Sequence, residues 1–378
     1  MAGFNKAIDK VRLVITTVCG IVLSLFLFYT AGFGQMTPMF QMAFPLLLAS
    51  LIAFCAFPFS RKKQAWWHLI VDLVFFLLSI IVLGYVILFE KEIAMRIGGN
   101  TTTTDMVVSL LGLLIVVELC RRASSPILSL LALVFFGYLF VGPYIPGFFG
   151  HPGFDLEGAV IYTFMGQEGI FGSALNAMVS YIFIFILFGA VLEKTGAGQI
   201  IINFALAATG RMTGGPAMTA ILASTFFGTM SGSPVANVSG TGTLTIPLMK
   251  KTGFSPNYAG SVEAVASTGG QFMPPVMGSA AFLMAEILGV PYAHVALAAL
   301  LPALLYYACL YFTVYFKAKK ENLRGLSKEE TPKVREVLRK GWPVFIPIAA
   351  LVYLLMSGYS PGYAAFYTIV CTVVVSLL

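Results

Sequence analysis

The chain has 378 residues, 58% of them hydrophobic and only 10% charged, with a formal net charge of +7. Soluble domains carry about 25% charged residues, so a water-soluble globular class is excluded and a polytopic all-α membrane protein is expected. Lys and Arg are distributed over connecting loops and form no stripe interleaved with aromatics, so no nucleic-acid surface is expected.

Lys6, Lys10 and Arg12 precede an apolar run in the manner of a signal peptide. The run from Leu13 to Ala31 is too long for an h-region, and no A-x-A site follows, so it is expected as the first membrane anchor. Spans able to cross about 30 Å of hydrocarbon are predicted near 11–32, 38–59, 68–89, 105–120, 124–141, 174–192, 292–316 and 342–357. A further apolar run begins near Tyr363 and still continues at Leu378, which predicts additional helices beyond it. Cys19, Cys55, Cys120, Cys309 and Cys371 lie in or beside these runs without a C-x-x-C. They read as small membrane-helix residues, not disulfides or a metal site.

Basic loops set the orientation. With a cytoplasmic N-terminus, every Lys and Arg except Lys91 and Arg96 falls on one side, including Arg61, Lys62, Lys63, Arg121, Arg122, Lys194, Arg211, Lys250, Lys251 and the loop from Lys317 to Lys340. Residues 142–173 are rich in Gly, Pro and aromatics and predict an outer interfacial loop with a short amphipathic helix. Residues 195–210 leave and return on one side, which predicts a helix along the inner surface.

Parity decides the centre. Arg211 and Lys250 are both inside, so residues 216–249 must cross an even number of times. Each leg, Pro216–Met230 and Val235–Met249, has 15 residues, or about 22 Å of helix. A re-entrant hairpin turning at Ser231, Gly232, Ser233 and Pro234 satisfies both constraints. Next, Asn257–Thr268 and Val276–Leu288 are predicted as two half-helices around Gly269, Gly270, Gln271, Phe272, Met273, Pro274 and Pro275. The Gly pair frees the backbone and the Pro pair withholds hydrogen-bond donors. Free backbone groups at membrane depth are tolerated only against protein or a watery cavity, and interrupted segments point to a transporter's binding site.

Ser231, Gly232, Ser233, Pro234 and Asn237 at the tip, with Ser267, Thr268, Gly269, Gly270, Gln271, Pro274 and Pro275 at the break, are therefore the candidate ion and substrate site. Hydroxyls, amides and freed carbonyls are the neutral oxygens that replace water around sodium, assigned to Ser231, Ser233, Asn237, Ser267, Thr268, Gly269 and Gly270. Gln271 and Asn237 have the reach to touch substrate as well. The blander reading is packing alone, with Gly228 and Gly232 at a spacing that brings helices close; it accounts for the glycines but not for the Ser-Gly-Ser-Pro cluster. Glu263 is an intramembrane carboxylate and so a functional candidate, with capping or pairing inside the bundle as the alternative. Glu286 is placed near an interface. Glu118 is expected to pair with Arg121 and Arg122, and Asp72 to form a solvated pair with His68. His68, His151 and His294 have no partner at ligand spacing.

No enzyme reading survives. There is no P-loop motif, so energy must come from an ion gradient or a partner. An intramembrane serine protease needs G-x-S-G and a His at the same depth, whereas Ser231 and Ser239 have Thr229 and Asn237 two residues earlier. A channel or exporter with similar broken helices is the other rival.

The stretch GTMSGSPVANVSGTGTLTIPLMKKTGFSPNYAGSVEAVASTGGQFMPPVMGSAAFLMAEILGVPY resembles the membrane subunit of tripartite ATP-independent periplasmic (TRAP) transporters. The likeness is specific over roughly Ala190–Tyr292 and looser in the first four spans. It is most similar to the fused type that joins small and large subunits and is served by a TAXI-type binding protein. The resemblance implies an elevator-type, sodium-coupled importer in the bacterial inner membrane, taking a small organic acid from a periplasmic binding protein and using no cofactor. It implies a second, inverted hairpin-and-break repeat beyond Leu378. The expected organisation is a small-subunit-like domain at 1–122, connecting helices and an arm at 123–215, and a first transport repeat at 216–316. That repeat comprises the hairpin 216–249, the broken helix 257–288 and the helix 292–316. A basic loop at 317–341 and the start of further helices at 342–378 follow.

Overall fold

The computed structural model describes residues 2–60, 66–97, 99 and 101–377. Arg61, Lys62 and Lys63, which enter the orientation argument, and Leu378 lie outside the described residues. The protein is helical, with no strand among the described residues. Seven helices among these residues are long and apolar enough to cross a membrane, from Ile8–Phe33 to Tyr292–Lys320, and shorter apolar helices accompany them. It is an all-α polytopic membrane protein. The chain forms two compact units, Met1–Val179 and Ser180–Leu378.

The first unit contains α1 (Ala2–Phe33), α2 (Pro38–Ala56), α3 (Trp66–Leu88), α4 (Glu90–Arg96), α5 (Thr103–Ala123), α6 (Pro126–Val141), α7 (Leu156–Met165) and α8 (Ser173–Ala177). A capping box between Thr102 and Asp105 starts α5. Near the opposite end of α5, Glu118 accepts from both Arg121 and Arg122, as the sequence predicts. Asp72 departs from expectation: it is buried and accepts from Arg12 at 2.7 Å, from Arg122 at 2.5 Å and from the Phe59 amide at 3.1 Å. A carboxylate withdrawn from water needs such charged partners, and these come from α1 and α5, outside the reach of local spacing. The helix expected to be amphipathic between residues 142 and 173 is instead the apolar α7, half buried against α5. The Phe164 ring fits there because Gly112 has no side chain; a Cβ at 112 would lie 2.1 Å from it.

A π turn, Met178–Ile182, leads into α9 (Phe183–Lys194). The second unit continues with α10 (Ala197–Thr209), α11 (Gly215–Ser231), α12 (Pro234–Lys251), α13 (Pro256–Thr268), α14 (Ser279–Leu288), α15 (Tyr292–Lys320), α16 (Val334–Gly341), α17 (Phe345–Met356) and α18 (Pro361–Ser376). Helices α12, α13 and α18 all begin with a Ser-Pro step, at Ser233, Ser255 and Ser360. The serine hydroxyl accepts a free amide of the first turn, and proline at the next position has no amide to satisfy. Helices α11 and α12 form a hairpin of 17- and 18-residue legs, about 26 Å each. Its apolar packing with α13 and α15 uses Ala217, Met218, Ile221, Ala259, Val262, Ala266, Val314 and Ala318. Alanines at these contacts let the backbones approach, the main source of helix association where lipid is the solvent.

Candidate functional site

The hairpin tip forms because Gly232 adopts a left-handed conformation, φ +57°, between the end of α11 and the Ser233 cap of α12. A side chain there is excluded twice over, since a Cβ would also stand 1.8 Å from the Met277 carbonyl oxygen. The tip is thus docked on the second side of the helix break. Met277 itself has φ +55°, an uncommon conformation for a residue with a long side chain. Two backbone bonds hold this arrangement: the Val276 amide donates to Thr229 in α11 at 3.3 Å, and the Gly278 amide donates to Gln271 at 2.6 Å.

The first half of the broken helix ends at Thr268 and passes into a 3-10 turn, Gly269–Gln271. The second half begins at Ser279, not at Val276 as the sequence reading places it. The reason is the pair of backbone bonds just described. They divert residues 276–278 to the hairpin and to Gln271, so α14 starts only after Gly278.

The glycine pair serves two different neighbours. A Cβ on Gly270 would sit 2.7 Å from the Gly228 Cα, and one on Gly228 would sit 2.5 Å from the Gly270 Cα. Hairpin and break therefore meet backbone to backbone. On the other side, a Cβ on Gly269 would lie 2.7 Å from the Tyr307 ring and 2.8 Å from that of Tyr306.

These contacts leave a cavity of about 300 Å³ at the tip. Its polar wall includes Ser231, Gly232, Ser233 and Pro234 from the hairpin and Gln271, Gly278 and Ser279 from the break. Its apolar wall includes Ile182, Phe185, Ile186 and Phe282. None of the lining residues carries a charged side chain. Hydroxyl and amide groups, with the first amides of α14 beside them, can replace water around a small polar solute.

Not every sequence-predicted residue reaches this cavity. Asn237 and Ser267 are fully buried behind it, and Thr268 is exposed with its hydroxyl donating to Ala264 at 2.8 Å. Gly269 and Gly270 are buried in the packing contacts, and Pro274 and Pro275 are half buried. Asn237 donates through Nδ2 to the Ser224 carbonyl at 2.8 Å, tying the two hairpin legs together. Next to it, Glu263 is 0% exposed. Its carboxyl oxygens accept from Ser224 at 3.1 Å, Ser267 at 3.3 Å, Thr245 at 2.5 Å, and also from Thr241. Among the described residues no Lys, Arg or His forms an ion pair with Glu263. Gly242 leaves the room for it, a Cβ there being 3.1 Å from the Glu263 Cγ.

Sequence reasoning missed Ser224, Thr241 and Thr245. A signal was present: Asn237, Thr241 and Thr245 recur every four residues and so share one face of α12, as Glu263 and Ser267 do on α13. A polar stripe on an otherwise apolar hairpin leg has to face a polar partner.

A family model described as "Tripartite ATP-independent periplasmic transporter, DctM component" matches residues 111–378. Among curated relatives, an uncharacterized protein of Sinorhizobium fredii is 29% identical over 199 residues, 51% of this chain and 46% of the relative. The C4-dicarboxylate TRAP transporter large permease protein DctM of Pseudomonas aeruginosa is 26% identical, covering 48% of this chain and 42% of that protein. The sialic acid TRAP transporter large permease protein SiaM of Vibrio cholerae is 27% identical with the same coverage, 48% and 42%. The chain spans about half the length of the curated relatives it matches.

Proposed function

The chain belongs to the DctM component family of tripartite ATP-independent periplasmic transporters, and on that premise we propose that it serves as a sodium-coupled importer of a small organic acid. In this reading a periplasmic binding protein of the TAXI type delivers the acid, and the chain sits in the bacterial inner membrane with a cytoplasmic N-terminus. The observation that carries the reading is the cavity where the hairpin tip, Ser231–Pro234, meets the break at Gln271 and Ser279. Interrupted helices enclosing a pocket of neutral oxygens suit ion-coupled transport, in which half-helix amino ends favour an anion and freed carbonyls favour a cation.

We assign sodium to the hydroxyls and carbonyls of Ser231 and Ser233 at the tip and to the buried Asn237 and Ser267, with Gln271 reaching toward substrate. The Thr268 hydroxyl is engaged with the Ala264 carbonyl and Gly269 and Gly270 are packed, so these three enter the assignment through their carbonyls alone. Glu263 adds to this assignment. It is a buried carboxyl held by neutral hydroxyls, Ser267 among them, and an intramembrane carboxyl is a functional candidate by default. Re-entry of the 216–249 hairpin from the cytoplasm, and an elevator movement of 216–316 against the rest, belong to the same proposal.

The test is uptake of labelled C4-dicarboxylate, sialic acid and other small carboxylates into proteoliposomes of the intact protein. Uptake is expected to need both the cognate binding protein and an inward sodium gradient. Full-rate uptake of free substrate without either one contradicts the reading.

A further inference from the structure

Helix breaks at membrane depth leave carbonyls that must be satisfied by something other than the helix itself. In this protein three tyrosines of α15 bond carbonyls on both sides of the break, of which that of Val265 also accepts from the Gly269 amide. Tyr306 donates to the Val265 carbonyl at 2.7 Å and Tyr307 to the Ala266 carbonyl at 3.0 Å, both in the last turn of α13. Tyr292 donates to the carbonyls of Pro275 at 2.8 Å and Val276 at 2.6 Å, on the far side of the break. The Tyr292 ring stacks on Phe282, with centroids 4.3 Å apart and planes 6° apart, and Phe282 lines the cavity. Tyr306 and Tyr307 lie against Gly269, the one residue type that leaves space for both rings.

We propose that Tyr292, Tyr306 and Tyr307 are positioning residues that fix the two ends of the break, and with them the cavity wall between Gln271 and Ser279. The two attachment points lie about 20 Å apart along α15, so one helix sets the separation of the half-helix ends. Tyr292 acts on the side that docks against the hairpin, because the Val276 carbonyl it holds belongs to the residue whose amide binds Thr229. Tyr306 and Tyr307 act on the side where the Gly269–Gln271 turn begins. None of the three enters the cavity lining, so each works through the backbone it holds.

The consequence for transport rests on the importer reading above, and the test separates the two. Tyr292→Phe and the double variant Tyr306→Phe/Tyr307→Phe keep the rings and remove only the hydroxyls. In the intact protein without substrate, hydrogen–deuterium exchange at Val276 and Gly278 should rise about five-fold or more in Tyr292→Phe, the factor expected for one lost hydrogen bond. Exchange at Gly269–Phe272 should rise similarly in the double variant. Tyr311→Phe, on the same helix and outside the break's hydrogen bonds, should leave both segments unchanged. In proteoliposomes the two variants should need several-fold more sodium for half-maximal uptake while keeping maximal uptake at saturating sodium. Unchanged exchange in both variants overturns the proposal. Faster exchange with an unchanged sodium curve also overturns it, because the hydroxyls would then support the fold without positioning the site. If wild-type uptake proves independent of sodium, the importer reading fails while the exchange measurement still decides whether the tyrosines hold the break.

Discussion

The crossing of Gly228 and Gly270 offers the most direct test of how this site is built. Replacing Gly270 with Ala places a methyl carbon 2.7 Å from the Gly228 Cα and 3.3 Å from the Asn237 amide nitrogen. Carbon atoms at rest stand about 3.5–4.0 Å apart, so the break must retreat from α11 by about 1 Å. Neither neighbour is the loose end of a flexible chain: one is backbone, and the other is held by its bond to Ser224. Overpacking of this kind costs about 1–3 kcal/mol, equivalent to a shift of about five- to 150-fold between the docked and displaced arrangements. Gly270→Val adds two methyl groups at the same place and should abolish uptake with the protein still inserted. The control is Gly260→Ala. It lies on α13, with nothing within 4 Å of its added carbon, and alanine is favoured over glycine inside a helix by about 1 kcal/mol. Thermal unfolding in detergent and initial uptake rates, at matched membrane expression, should separate Gly270→Ala from Gly260→Ala. Equal behaviour of the two variants refutes the claim that hairpin and break meet through glycine.

Ser233→Ala should raise the sodium needed for half-maximal uptake, with carbonyl ligands left in place; an unchanged curve in both Ser233→Ala and Ser267→Ala removes this stretch from the sodium site. Glu263→Gln should insert normally, since an amide has the same outline, and should weaken sodium dependence; an unaltered sodium curve would reduce Glu263 to a packing role. In the first unit, Asp72→Ala leaves Arg122, whose side chain is 1% exposed, without that buried partner. Glu118 still pairs with Arg122, so the cost should be that of a lost hydrogen bond between charged groups, about 1.5–3 kcal/mol, read as loss of folded protein in detergent. Arg122→Ala, after which Arg12 still holds Asp72, should behave alike. A cysteine at Lys250 should react with impermeant reagents only from the cytoplasmic side; labelling from the periplasm would overturn the proposed orientation.

Much of this architecture was legible because membrane solvent leaves few choices. A helical hairpin was visible in two short legs separated by a turn-forming run, and its turn falls at Gly232 and Ser233 as the Ser-Gly-Ser-Pro run suggests. The break was visible in Gly269, Gly270, Pro274 and Pro275. Its second boundary was not, because residues 276–278 are shaped by the Val276 bond to Thr229 of the hairpin, far earlier in the chain, and by the Gly278 bond to Gln271. Asp72 was misplaced for the same reason, its partners lying 60 and 50 residues away. Composition and spacing report what a segment requires; they do not report which distant segment supplies it.

That limit explains why Glu263 was the least decided residue. Read alone, a carboxyl in an apolar helix leaves function and internal pairing open. In the fold it faces Ser224 of α11, Thr241 and Thr245 of α12 and Ser267 of its own helix, with no cationic side chain bonded to it among the described residues. Asp72 in this same chain is instead satisfied by charged partners, Arg12 and Arg122. A buried polar group must be hydrogen-bonded, and hydrogen bonds from a guanidinium are stronger than those from neutral hydroxyls. The two acidic residues therefore solve the same problem in different ways. Asp72 is tied between helices by two arginines, while Glu263 has only neutral hydroxyl partners among the described residues, so the Glu263→Gln sodium curve decides whether it bears on the proposed cation.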